Sequence, residues 1–182
     1  MANPRILVVH FSRTGNTRQV ARELAAALGA DLEEIGDPAD RTGTLGYLRC
    51  ALEAVLGVSA EIAPPRRDPA RYDLVVVGSP VWYASVSSPA RTYLWLERER
   101  LPQVAFVLTH GGFGAERALG QMRALAGRRP VAQLVVRERE VESGSHAGKV
   151  ASFARALRAS AGRPRPGRAT RPARPRKASG KR

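Results

Sequence analysis

The sequence predicts an α/β protein: a parallel sheet with helices on both faces. Three observations predict it. Short apolar runs alternate with helical patterns about five times along 182 residues. The clearest run, DLVVVGS at Asp73–Ser79, is continuously apolar, as in a strand covered on both faces. Two glycine- and hydroxyl-rich turns follow strand-like runs directly and lead into helices. Alternation of this kind gives a parallel sheet because each crossover must carry a helix back across a face.

The elements follow in order. Arg5–Phe11 is an apolar strand. A helix begins at Gly15, with Val20, Leu24 and Leu28 spaced by four and Ala21 and Ala25 beside them, and Gly29 ends it. Asp31–Ile35 is a charged strand suited to a sheet edge. Thr44–Leu56 is helical, with Leu45, Leu48, Leu52, Val55 and Leu56 on one face and the lone Cys50 nearly opposite. Pro64, Pro65 and Pro69 impose an extended connection before the strand at Asp73–Ser79. Ser88-Pro89 caps a helix running to Arg98. Val104–Thr109 is the fourth strand, Glu116–Ala126 a helix, Val131–Val136 the fifth strand and Lys149–Ala159 the closing helix.

Composition bounds the rest. The length suits one domain, read as residues 1–160. One cysteine permits neither an internal disulfide nor a cysteine-rich metal site. No apolar run approaches the ~20 residues of a membrane span, and Arg5 and His10 interrupt the first one, so no secretory signal is read and the chain is expected in the cytoplasm. The net charge is +14, unevenly placed: residues 161–182 hold Arg163, Arg165, Arg168, Arg171, Arg174, Arg176, Lys177, Lys181 and Arg182 and no acid. This Pro-, Arg- and Gly-rich stretch has no apolar pattern to offset its ordering entropy and is expected to be disordered.

The chemistry concentrates in turns at the carboxyl ends of strands, where open α/β sheets bind ligands. The first turn reads SRTGNT. Ser12, Thr14 and Thr17 supply hydroxyls, Asn16 an amide, Gly15 a close backbone approach, and the helix behind them free N–H groups and the positive end of its dipole. All suit a phosphate, and Arg13 adds a cation that can pair with it. A nucleotide-triphosphate loop (G-x-x-x-x-G-K-[ST]) and a dinucleotide loop (G-x-G-x-x-G) are absent. No acid stands at the end of the first strand for a receiver domain, and no thiol lies in the turn for a cysteine phosphatase. Gly78–Ser88 (GSPVWYASVSS) and Thr109–Gly114 (THGGFG) put Trp82, Tyr83 and Phe113 at the same rim, fitting a flat ring with a phosphate tail, such as a flavin mononucleotide. The bland readings are a capped helix start for Ser12–Thr17, gap filling for Trp82 and Tyr83, a solvated loop residue for His110, a core residue for His10 and an inert thiol for Cys50.

S-R-T-G-N-T resembles the [ST]-x-T-G-x-T phosphate loop of flavodoxins, and GSPVWY and THGGFG resemble their two flavin-flanking loops. The resemblance covers Arg5 to about Ala159, and RTGTLGYLRCALEAVLG (Arg41–Gly57) resembles a bacterial and archaeal subgroup rather than the small acidic carriers. It implies a flavodoxin-like three-layer sandwich with a five-stranded parallel sheet in order 2-1-3-4-5, bound FMN and a redox role. It further implies that Ser12, Arg13, Thr14, Gly15, Asn16 and Thr17 hold the phosphate. Pro80, Val81, Trp82 and Tyr83 would flank one side of the ring, and His110, Gly111, Gly112, Phe113 and Gly114 the other. No catalytic triad and no metal is expected. The first expectation is electron transfer through FMN to a redox partner protein; the alternative is an NAD(P)H- or quinone-linked oxidoreductase of the same fold. Acids are scarce in the three loops, so a less negative second flavin potential than in an acidic flavodoxin is expected.

The basic tail is most simply a solubilising extension, and its charge also suits non-specific contact with nucleic acid or other polyanions; it has no aromatic residue for base stacking. For that second role, deleting Gly162–Arg182 abolishes salt-sensitive retention on DNA and leaves flavin binding intact. Retention that survives the deletion refutes it.

Overall fold

The computed structural model describes residues 4–38 and 59–161. The expected helix at Thr44–Leu56, Cys50, and the expected disorder of residues 162–182 lie outside the described residues.

The described chain runs β1 (Ile6–His10), α1 (Asn16–Leu28), β2 (Asp31–Glu34), a single 3-10 turn (Pro69–Arg71), β3 (Leu74–Trp82), β4 (Ser85–Val86), α2 (Ser88–Glu97), β5 (Gln103–His110), α3 (Ala115–Ala126), β6 (Gln133–Arg137), α4 (Glu138–Glu142) and α5 (Ala147–Ala161). The sheet order is β2-β1-β3-β5-β6, with every pairing along it parallel. Counting long strands only, this is the expected order 2-1-3-4-5. The sixth strand, β4, is an antiparallel two-residue addition to the end of β3.

Strand alternation divides the core into two layers. Leu7, Val9, Val75, Val77, Phe106 and Leu108 face α2 and α3, where Tyr93, Leu94, Leu119 and Met122 meet them. Ile6, Val8, Leu74, Val76, Val107 and Val136 face α1 and α5, where Val20, Leu24, Phe153 and Leu157 meet them. Adjacent residues of one strand thus feed opposite layers, which is why the strands read as unbroken apolar runs. Gly29 ends α1 in the left-handed conformation (φ 63°), donating its N–H back to Ala26. Behind α1, His146 joins helices: Nδ1 lies 3.0 Å from the Glu140 carbonyl and Nε2 2.8 Å from Glu23 Oε2.

Four expectations need correction. The third strand does not stop at Ser79; it continues to Trp82 and turns back as a hairpin, so most of the predicted loop is sheet. The N-cap of α2 is Ser87, placing Ser88-Pro89 inside the first turn. His110 is no solvated loop residue: it closes β5 and is buried. Ala161, assigned to the tail, is the last residue of α5. His10 does lie in the core, 1% exposed.

Burial holds the His10 imidazole below its ordinary value of 6.5, outweighing Glu34, whose carboxylate is 4.0 Å away. His110 is likewise held down by burial and then by Arg137. Unfolded, both rings take up a proton near pH 6.5, and folded they resist it. The unfolded chain therefore binds more protons below that pH, and acid favours it. Stability is expected to fall as pH drops below 6.5, and His10→Leu to lose part of that slope, checked by denaturant midpoints between pH 8 and 5.

Candidate functional site

The carboxyl ends of β1, β3 and β5 carry the three predicted loops to one rim. The first is shaped by its own side chain: Ser12 Oγ accepts the Gly15 N–H at 3.1 Å. Gly15 then takes φ 100° as the N-cap of α1, a conformation closed to most side chains. No side chain caps this helix, so its first N–H groups remain aimed at the loop. Arg13 and Thr14 are exposed, Gly15 and Asn16 half-buried. Thr17 turns inward; its hydroxyl meets that of Thr109 at 2.7 Å, tying the first loop's helix to β5. Where Thr109 donates, Thr17 keeps a proton for a ligand; where Thr17 donates, it has none to offer.

The second loop is a hairpin held from several directions. Tyr83 (φ 47°) and Ala84 (φ 58°) form its two-residue turn, both left-handed and neither glycine. Such residues cost about 1–2 kcal/mol each, and the surroundings must impose them. Ser79 Oγ lies 2.9 Å from Ser87 Oγ and accepts the Ser87 N–H, pinning the hairpin's base. Gln121 of α3 accepts the Val86 N–H and reaches Ser85 Oγ. The third loop closes on this turn: a Cβ on Gly114 (φ 84°) would fall 2.3 Å from Ala84 Cα. Trp82, 9% exposed, packs edge-on against Phe11 with ring centroids 5.5 Å apart. Tyr83 is 46% exposed and Phe113 73%.

Between these loops lies a cavity of 340 Å³ lined by Arg13, Thr14, Pro80, Val81, Trp82, Tyr83, Gly111, Phe113 and Glu138. A second chamber, also 340 Å³, shares Val81, Tyr83, Gly111 and Phe113 with it and adds Ala84 and Gly112. The structure thus brings together eight predicted residues in the first cavity and Gly112 in the second. Ser12 lines the neighbouring cleft instead. Gly15, Asn16 and Thr17 sit at the start of α1, beside Thr14. His110 and Gly114 line neither chamber; the first is a strand end and the second a packing contact. Sequence reasoning missed Glu138, the first residue of α4. The parallel register His110↔Arg137 places Glu138 beside Gly111, and its Oε2 lies 3.4 Å from where a Gly111 Cβ would be. This carboxylate works against the expectation of an acid-poor rim.

A larger cleft, 750 Å³, opens on the other side of the first loop toward the end of β2. Its charges are largely committed. Arg18 grips Glu34 through Nε and Nη2, and Glu33 accepts the backbone N–H groups of Arg66 and Arg67 at 2.7 and 3.0 Å. The first of the two 340 Å³ cavities combines the Thr14 hydroxyl, the Arg13 cation and the aromatic walls of Trp82, Tyr83 and Phe113, the uncapped start of α1 follows Thr14 directly in the chain, and the volume falls within the ~300–1,000 Å³ of small-molecule sites. That donor set fits a dianion with a flat aromatic head. Among the described residues no group of three or more metal-ligating side chains comes together, and no helix is long and apolar enough to cross a membrane.

The parallel sheet, its order and the rim cavity define a flavodoxin-like protein. The model of the NADPH-dependent FMN reductase family matches residues 4–148, and the chain belongs to that family. FMN is the flavin this membership assigns to it. Among solved structures, the chain is similar to a Lactobacillus acidophilus NCFM flavoprotein in complex with FMN (22% identity, 78% of this chain and 99% of that one, TM-score 0.65). A putative flavoprotein from Bacteroides eggerthii DSM 20697 is similar at 21% identity, covering 84% of this chain and 99% of that one with a TM-score of 0.66. Megasphaera elsdenii flavodoxin, in its two-electron reduced form, aligns at 20% identity over 84% of this chain and 98% of its own, with a TM-score of 0.51. Among curated proteins no significant match is found.

Gly114→Ala is expected to lower stability by about 2 kcal/mol or more, because the new methyl meets backbone that cannot retreat, and to weaken flavin binding as the hairpin shifts. Denaturant melts and flavin titrations check this; an unchanged variant would mean the two loops are not locked.

Proposed function

We propose that this chain is an FMN-dependent oxidoreductase that accepts electrons from a nicotinamide dinucleotide and passes them to a second acceptor. The reading rests on family membership and, above all, on the open second chamber beside the first. An electron carrier needs only an exposed ring edge; an enzyme needs space for another flat molecule next to the flavin. Tyr83 and Phe113 border both chambers and stand exposed, so a ring entering the second would lie against the contents of the first.

FMN, when bound, supplies hydride and single-electron chemistry. The chain supplies the rest. The N–H groups of the first turn of α1, the hydroxyls of Ser12, Thr14 and Thr17, the Asn16 amide and the Arg13 cation would hold the phosphate. Pro80, Val81, Trp82 and Tyr83 form one wall, Gly111, Gly112 and Phe113 the other. His110 and Gly114 act as positioning residues for the third loop. Glu138 opposes the build-up of negative charge in the cavity, which makes reduction harder than the loops alone would. The flavin domain extends to Ala161 at the end of α5 and works in the cytoplasm, with 162–182 as a basic extension.

A second reading, a carrier serving a redox partner protein, is favoured by the exposure of Tyr83 and Phe113, on which such a partner could sit. Anaerobic mixing of the FMN-loaded protein with NADPH separates the two. The enzyme loses its yellow flavin band on contact with NADPH alone and regains it with a quinone. A band that persists until a reductase protein is added supports the carrier. A colourless protein that takes up no added FMN overturns both.

A further inference from the structure

Thr109 carries a hydroxyl where the fold asks for none. Along β5, Ala105 and Val107 face α1 and α5, and alternation puts Thr109 on the same side, with Val136 beside it in register. Thr109 is 1% exposed, and a valine would bury as much apolar surface with no polar group to satisfy. The hydroxyl has one partner, Thr17 Oγ1 at 2.7 Å. Thr17, the second residue of α1, is equally buried. Its methyl rests over Gly78, where an added Cβ would lie 3.4 Å from Thr17 Cγ2. The side chain is thus placed from two strands, its methyl on β3 and its hydroxyl on β5.

The protons of this pair outnumber its bonds. Two hydroxyls carry two protons, their shared bond uses one, and neither side chain makes a second hydrogen bond among the described residues. A buried O–H without an acceptor is costly and calls for an explanation. If Thr17 donates, the spare proton belongs to Thr109, inside an apolar layer. If Thr109 donates, it belongs to Thr17, in the first turn of α1, among N–H groups that no side chain caps. The second arrangement gathers the donors in one place. One acceptor with several oxygens, a phosphate, satisfies them together.

We propose that Thr109 is a positioning residue for the flavin phosphate: it donates to Thr17 Oγ1 and so turns the Thr17 proton toward the phosphate. This rests on the reading of the first loop as the phosphate cradle. A hydroxyl that accepts one hydrogen bond donates a stronger one, because the chain polarises. Without the Thr109 proton, Thr17 is free to spend its own on a carbonyl one turn back, as threonines in helices do. Thr109 lines neither chamber, so its effect falls on the phosphate and not on the ring.

Titration of the flavin-free full chain with FMN, and with riboflavin, which lacks the phosphate, tests this. Thr109→Val is expected to weaken FMN binding about threefold to tenfold and to leave riboflavin binding unchanged. Thr109→Ser, which keeps the hydroxyl, restores FMN binding. In a Thr17→Val background Thr109→Val adds nothing, because it acts through Thr17. Thr109→Ala gives the same reading where valine prevents folding. FMN and riboflavin weakened alike by Thr109→Val overturn the proposal, since lost packing alone does that. So does FMN affinity that Thr109→Val leaves unchanged while Thr17→Val lowers it, a result that keeps the cradle. FMN affinity unchanged by Thr17→Val overturns the proposal and the place of Thr17 in the cradle together. None of these outcomes depends on the electron donor.

Discussion

The rim depends on one close approach, that of the Gly114 backbone to Ala84. No side chain fits between them, so the third loop lies directly on the turn of the second. That contact, with the Ser79–Ser87 bond and the Gln121 brace, offsets the cost of two left-handed non-glycine residues. The strained turn in turn decides where Tyr83 stands and which walls the cavity has. The first loop joins the assembly through the Thr17–Thr109 hydroxyl pair. Three segments distant in sequence thus form one rigid rim, and a rigid rim holds a cofactor without ordering costs at binding.

Much of this was legible in the residues because the physics is local. Continuous apolar runs specify strands buried on both faces, and spacings of three and four specify α1 and α3. SRTGNT places hydroxyls, glycine and a helix start in six residues, so its chemistry can be read without knowing the fold. The hairpin was not legible. Ser79 and Pro80 break the apolar run, and Tyr83-Ala84 is not the Asn-Gly or Asp-Gly pair that announces such a turn. Only tertiary contacts impose it. Glu138 was hidden for another reason: its place beside Gly111 follows from the register of β6 on β5, which no single segment encodes.

His110 shows how composition can mislead. Beside Gly-Gly-Phe-Gly it reads as a loop residue, yet its backbone completes the pairing of β5 with Arg137 of β6. The ring is buried as the strand ends, its Nδ1 without a partner among the described residues. Glycines begin one residue later because the chain there must leave the sheet and return to Ala84.

Charge acts on this molecule at two ranges. The +14 total is dominated by residues 161–182, and fields from exposed charges fade over ~8 Å at physiological salt. The energy of a charge inside the cavity is set most strongly by the groups that line it. Those groups are Arg13 on the first loop and Glu138 across the rim, both in the cavity lining. The two oppose one another at different places, the cation on the first loop and the anion beside the third. A dianion is thereby favoured at one end while added negative charge is resisted at the other. A protein can be strongly basic overall and still present a flavin with a locally balanced environment, so net charge is a poor guide to its potential.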